Sequence, residues 1–130
     1  MNKKLYVMIL FSLSLASPLA LFANEPSTAM QVQMLIHHDQ RCLRKAQAAV
    51  NSGDLGTAKK YFMRIAQESM VLQKKIPPRG GQSVWDKALM ALAKDAIEGA
   101  HFAKQKDSAR VRASITTLTD ALSGFQREFK

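Results

Sequence analysis

The most regular pattern in the chain lies at its end, from Ser108 to Lys130. Val111, Ile115, Leu118, Leu122, Phe125 and Phe129 recur alternately every four and three residues, and Arg110, Arg112, Thr116, Asp120, Arg127 and Glu128 fall between them. That period draws one apolar stripe along an α-helix. A stripe so narrow needs partner helices to bury it.

Three earlier stretches carry matching stripes. The first helix is predicted from about Ala29 to Val50, with Ser27 or Thr28 as its cap. Its inward face holds Val32, Leu35, Ile36, Leu43, Ala46 and Val50, flanked by Cys42 and Ala49. Asn51-Ser52-Gly53-Asp54 breaks that helix and caps the next. The second helix is predicted from about Leu55 to Lys75, with Leu55, Ala58, Phe62, Ile65, Ser69, Leu72 and Ile76 on its stripe and Tyr61 and Ala66 beside it. Ser69 either marks a gap in the core or bonds back to a backbone carbonyl. Pro77-Pro78-Arg79-Gly80-Gly81 stops the helix. Ser83-Val84-Trp85-Asp86 reads as a capping box. The third helix follows to Lys104, with Trp85, Leu89, Leu92, Ala93, Ala96, Ala100 and Ala103 facing inward. So many Ala residues let a neighbouring helix approach closely. Gln105-Lys106-Asp107-Ser108 is a short turn with a capping residue. No stretch alternates as a strand does. The expected fold is therefore all-α, an antiparallel up-down-up-down four-helix bundle.

The first residues stand apart from this pattern. Met1-Asn2-Lys3-Lys4 is a short basic start, Leu5 to Leu15 is almost wholly apolar, and small residues lead to Ala23 before the polar Asn24-Glu25-Pro26. This is the layout of a secretory signal peptide, cut after Ala23 or, failing that, after Ala16. The competing reading is an uncleaved membrane anchor, since the apolar run, counted through its serines and Pro18, comes to roughly 18 residues, near the minimum for a span. With cleavage, residues 1–23 are the signal and 24–130 one small bundle domain. The expected location is the bacterial periplasm, with membrane contact only through an uncleaved signal.

The chain has 19 Lys+Arg against 10 Asp+Glu, a formal net charge of +9, and losing Lys3 and Lys4 lowers it by two. The basic residues are spread over all the helices without interleaved aromatics, which argues against nucleic acid as a partner. An unknown protein or small ligand is the partner expected, and a homodimer is an assembly open to the chain. The one cysteine, Cys42, excludes an internal disulfide.

The helical frame and the last turn together resemble the cytochrome b562 and cytochrome c-prime family of exported four-helix cytochromes. In those proteins a haem-ligating His near the end of the last helix is followed three residues later by an aromatic and then a basic residue. Gln126-Arg127-Glu128-Phe129-Lys130 keeps that frame with Gln in the His position. The c-prime attachment motif Cys-x-x-Cys-His corresponds to Leu122-Ser123-Gly124-Phe125-Gln126. The resemblance implies the bundle, the export and a haem between the helices. The departures imply that the haem has been lost: no Cys remains to hold it covalently, and Gln is a poor iron ligand beside imidazole. The family-matched cofactor positions are thus Leu122, Phe125, Gln126 and Phe129. The family's helix-one Met ligand has no clear match, since Met34 lies off the stripe and Asp39 or His38 falls near that level.

Asp39 is the clearest local inconsistency. It sits in the middle of an apolar face, where a carboxylate must pair, hydrogen-bond or reach water. Either the bundle is open there and Asp39 is wet, or the residue is kept for a purpose. His38 and Cys42 are one turn apart, a spacing that suits copper or zinc, and Asp39 or Met34 could add a donor. His37 points outward toward Arg41 and Arg44. His101 lies on the side of Lys94 and Lys87. Met63, Met70 and Met90 read as flexible core fillers sooner than copper ligands. Asp95 and Glu98 share a side that faces water. No nucleophile–base set, phosphate loop or carboxylate pair is visible, so the chain is not expected to be an enzyme. The expectation is a haem-free, non-catalytic binding or accessory protein. Its alternatives are an electron carrier with non-covalent haem b and a copper- or zinc-binding protein.

Overall fold

A computed structural model describes residues 27–78 and 80–129; the proposed signal segment, Arg79 and Lys130 lie outside the described residues. Four helices and no strand make up the described chain: α1 Thr28–Asn51, α2 Leu55–Gln73, α3 Gln82–Lys104 and α4 Ser108–Phe129. The arrangement is all-α and consistent with a four-helix bundle. Among the described residues no helix is long and apolar enough to cross a membrane.

The helix ends follow local chemistry. Ser27 Oγ accepts the Met30 N–H at 3.1 Å and caps α1. Gly53, at φ +80, lets the chain turn left-handed after α1, where the Gly53 N–H returns to Val50 O at 3.0 Å. Asp54 then caps α2 by accepting the Thr57 N–H at 3.1 Å and its hydroxyl at 2.6 Å. Asp107 caps α4 by accepting the Arg110 N–H at 3.2 Å. The start of α3 departs from the capping box expected at Ser83. Gly81 is the N-cap and offers no side chain, so Ser83 already lies within the helix. Asp86 instead accepts a bond from the Gln82 amide at 3.0 Å.

The predicted stripes form one core. Every apolar stripe residue of α1 and α4 is buried. On the α2 stripe Leu55 is half-buried and Ile76 is 79 % exposed. The helix ends at Gln73, short of the expected Lys75, because the two prolines that follow withdraw backbone donors and force an extended approach. Ser69 is buried and donates its hydroxyl to Ile65 O at 2.9 Å, so it closes on its own helix.

Each helix packs on its neighbours in the chain, and α4 also meets α1; α2 and α3 share the most extensive contact. The reason is the small-residue face of α3. Gly99 lies so close to the Phe62 ring that a Cβ placed there would stand 2.9 Å from two ring carbons. Tyr61 joins α1 to α2, with Lys45 Nζ at 5.7 Å and the Arg64 guanidinium at 5.3 Å from its ring centre. Near the chain end, Trp85 of α3 stacks against Phe125 and Phe129 of α4. At the opposite end of α4, Arg112 donates to Asn51 Oδ1 of α1 at 3.3 Å.

Candidate functional site

The helical repeat places His38, Asp39 and Cys42 on one turn of α1. Asp39 is fully buried, so the open, wet alternative for this level of the bundle is wrong: α2 closes over it. Its side chain is 1 % exposed against 30 % for His38, whose Nδ1 lies 3.3 Å from Asp39 Oδ1. The second oxygen, Oδ2, is buried and has no hydrogen-bond partner among the described residues. Burial, and then the negative charge of Glu68 on α2, push the Asp39 carboxyl up to about 8. Cys42 is 3 % exposed, and its Sγ stands 3.7 Å from His38 Nε2.

Carboxylate, imidazole and thiol stand here in the order used by cysteine nucleophiles with a base and an orienting acid. The environment opposes that use. Burial, with Asp39 next, pushes the Cys42 thiol up, which favours the unreactive protonated form. As a metal centre the trio is incomplete. Among the described residues no group of three or more His, Cys, Asp or Glu side chains comes together to hold an ion.

His38 opens onto a cleft of about 580 Å³ between α1 and α2, which Met34, His37, Arg41, Glu68 and Val71 also line. Met34 is 57 % exposed there, off the inward stripe as its spacing indicates. The structure thus brings Met34 and His38 to one cleft, with Cys42 behind His38. Glu68 was not singled out from sequence. Its place beside Ser69, next to the inward stripe of α2, was the available signal. A second groove, between α2 and α3, is lined by Met70, Met90, Ile97, Lys94, Glu98 and His101. Met70 and Met90 are exposed there, so they do not fill the core as expected. Asp95, expected to face water, is half-buried, and burial, then Glu98, raises its carboxyl.

The four cofactor-matched positions lie elsewhere, on α4. Leu122, Phe125 and Phe129 are buried in the core, and Gln126 is half-buried. Gln126 and Leu122 border a groove of about 480 Å³ between α4 and α1, where Gln40, Arg44, Thr119 and Ser123 supply the polar wall. No imidazole, thiol or thioether is among the described side chains lining it. Gln126 is a weak iron ligand beside imidazole, and Leu122, Phe125 and Phe129 are buried core side chains. No known family, curated protein or solved structure matches the chain.

Proposed function

We propose that the helices alternate in direction as an antiparallel up-down-up-down bundle. Three sets of contacts support this. The end of α1 meets the start of α4 through Asn51 and Arg112. The start of α3 meets the end of α4 through Trp85 and Phe129. Lys45 of α1 faces Tyr61 early in α2, whereas Asp39, earlier in α1, feels Glu68 later in α2. Spin labels at Gln33→Cys and Lys74→Cys should therefore be closer than labels at Gln33→Cys and Lys59→Cys, by up to about 20 Å, the rise of α2 between the two sites. The opposite order would refute the topology.

We propose that this bundle is an exported, haem-free relative in type of the four-helix cytochromes, acting in the periplasm as a non-catalytic binding or accessory protein. The observation that carries the reading is the packing of Leu122, Phe125 and Phe129 into the core where the resemblance would seat haem. The ligand-poor groove beside Gln126 supports it, as does the buried, protonated thiol that leaves catalysis without a nucleophile. The basic-apolar-small layout of residues 1–23 supports export.

The protein should be expressed in a haem-supplied bacterial host and recovered from the periplasm. The product is expected to begin at Asn24 and to show no Soret band, before or after free haem is added, beyond haem's own. A Soret band that sharpens with the protein and shifts on reduction would mean that haem is retained, and the reading would fail.

A further inference from the structure

The two ends of the bundle differ in what they show to solvent. Eight large apolar side chains are exposed among the described residues, and five of them, Met30, Met34, Val71, Ile76 and Val84, gather at one end. Residues 74–81 join the end of α2 to the start of α3, so Ile76 and Val84 share that end by connection. Met34, one turn beyond Met30, lines the α1–α2 cleft with Val71 and Lys75, which brings the start of α1 to the same place. The other three, Met70, Met90 and Ile97, line the α2–α3 groove. The opposite end, with the turns that follow α1 and α3, exposes none among the described residues. Single exposed apolar side chains are ordinary, whereas a cluster confined to one end marks a contact surface.

Charge marks the same end. Lys74 and Lys75 follow Val71 by three and four residues, so the last turn of α2 carries them to its side. Neither lysine pairs with a carboxylate among the described residues. Two carboxylates of this end, Asp86 and Glu128, each adjoin a cation in the chain, Lys87 and Arg127. Glu68 stands seven residues before Lys75, about 10 Å back along α2. The surplus charge at the apolar end is therefore that of Lys74 and Lys75.

Exposed apolar side chains beside unpaired lysines fit a surface that is hydrocarbon beneath a layer of negative charge. That is the interface of an anionic bilayer, where apolar side chains enter the acyl boundary and lysine stems hold their ammonium groups among the phosphates. A second copy of the chain fits less well, because joining two such ends brings two like-charged lysine pairs together. Residues 1–26 also enter the bundle at this end, so the apolar run that directs export delivers this end nearest the membrane. We propose that the end formed by the start of α1 and the α2–α3 connection docks on an anionic phospholipid bilayer. Ile76 and its apolar neighbours enter the interface there, and Lys74 and Lys75 meet the headgroups. This deepens the reading of the protein as an exported binding bundle, and rests on it, by naming the surface bound.

The test is co-sedimentation of the protein recovered from the periplasm with vesicles. One set holds two parts phosphatidylethanolamine to one part phosphatidylglycerol, and the other holds phosphatidylcholine alone. Binding to the anionic set is expected, at least about tenfold tighter than to the neutral set. It should weaken as salt rises from about 0.1 M to about 1 M, which shortens the screening length from about 10 Å to about 3 Å. Lys74→Gln with Lys75→Gln should weaken binding roughly 25-fold, about fivefold for each lysine. Ile76→Ser should weaken it about tenfold, and at its exposed position it leaves the core untouched. Lys59→Gln with Lys60→Gln removes the same charge early in α2 and should change binding less than about twofold. Far-UV circular dichroism checks that each variant is folded. Absence of binding, equal losses from the two lysine pairs, or indifference to Ile76→Ser would overturn the docking surface. So would a lipid-free dimer, seen by light scattering, that Ile76→Ser dissolves, since a second copy would then cover the patch. The mass of the recovered protein separates the two readings. A chain still carrying residues 1–23 breaks the export reading, while the Lys74, Lys75 and Ile76 comparisons still decide this one.

Discussion

The stability of the protein is expected to fall steeply between about pH 5 and pH 8, and Asp39→Asn is expected to remove most of that slope. Burial, and secondarily Glu68, raises the folded-state carboxyl of Asp39 from 3.8 to about 8. An unfolded chain exposes the same carboxyl to water, where it ionises near its ordinary value of about 4. Between those two values the folded state holds a proton that the unfolded state has released. The associated stability is fully present below about pH 4 and is lost as pH rises through about 8, the reverse of a salt-bridged carboxylate.

One such group changes stability by about 1.4 kcal/mol per pH unit across the window, on the order of 5 kcal/mol in total. That rivals the whole stability of a small domain, roughly 5–15 kcal/mol. Cys42, also raised by burial, adds a loss of the same sign at more alkaline pH, beyond its ordinary value of 9.0. Urea unfolding followed by circular dichroism at pH 5, 6, 7 and 8 measures the slope directly. Asn at position 39 keeps the shape and cannot ionise, so its curve should be nearly flat where the parent's falls. Parallel curves for parent and variant would show that Asp39 is not the titrating group.

The same residue shows how far the sequence could be read. The four stripes were legible because burial and helical period coincide: Val111 through Phe129 are predicted inward and all are inside. Asp39 was visible as a misfit, but its state was not. Whether a carboxylate within an apolar stripe is wet or dry depends on how closely α2 covers it, and no periodicity in α1 encodes that distance. The partnership of His38 with Cys42 follows from one-turn spacing, whereas Glu68 enters only through the docking of α2. The false cap at Ser83 has a similar cause. Gly81 and Gln82 lack the usual cap chemistry, yet the helix starts there, because packing Trp85 into the core fixes the first turn more strongly than a hydroxyl cap would. Ile76 continued the α2 period on paper, but Pro77 and Pro78 ended the helix before that period could be used.

Trp85 is where the largest loss from a single truncation is expected. Its indole is fully buried. Its ring centre lies 5.0 Å from that of Phe129, nearly edge-on at 84°, and 5.8 Å from that of Phe125. Phe125 and Phe129 are themselves 4.9 Å apart, so three rings from α3 and α4 close on one another. Trp85→Ala removes the middle of this cluster and leaves a cavity between helices that cannot collapse without unseating both Phe rings. A loss of about 3–5 kcal/mol is expected. The indole Nε1 has no hydrogen-bond partner among the described residues, so burying its N–H opposes folding by about 1–3 kcal/mol. Trp85→Phe removes that donor and keeps an aromatic ring against Phe129. It should therefore cost much less than Trp85→Ala, under about 2 kcal/mol, despite the smaller ring. Chemical unfolding read by circular dichroism at 222 nm, since the fluorophore itself is altered, gives both values on one scale. If Trp85→Phe were as damaging as Trp85→Ala, Nε1 would have a partner that holds the fold. The aromatic cluster would then be filling space beside a polar anchor.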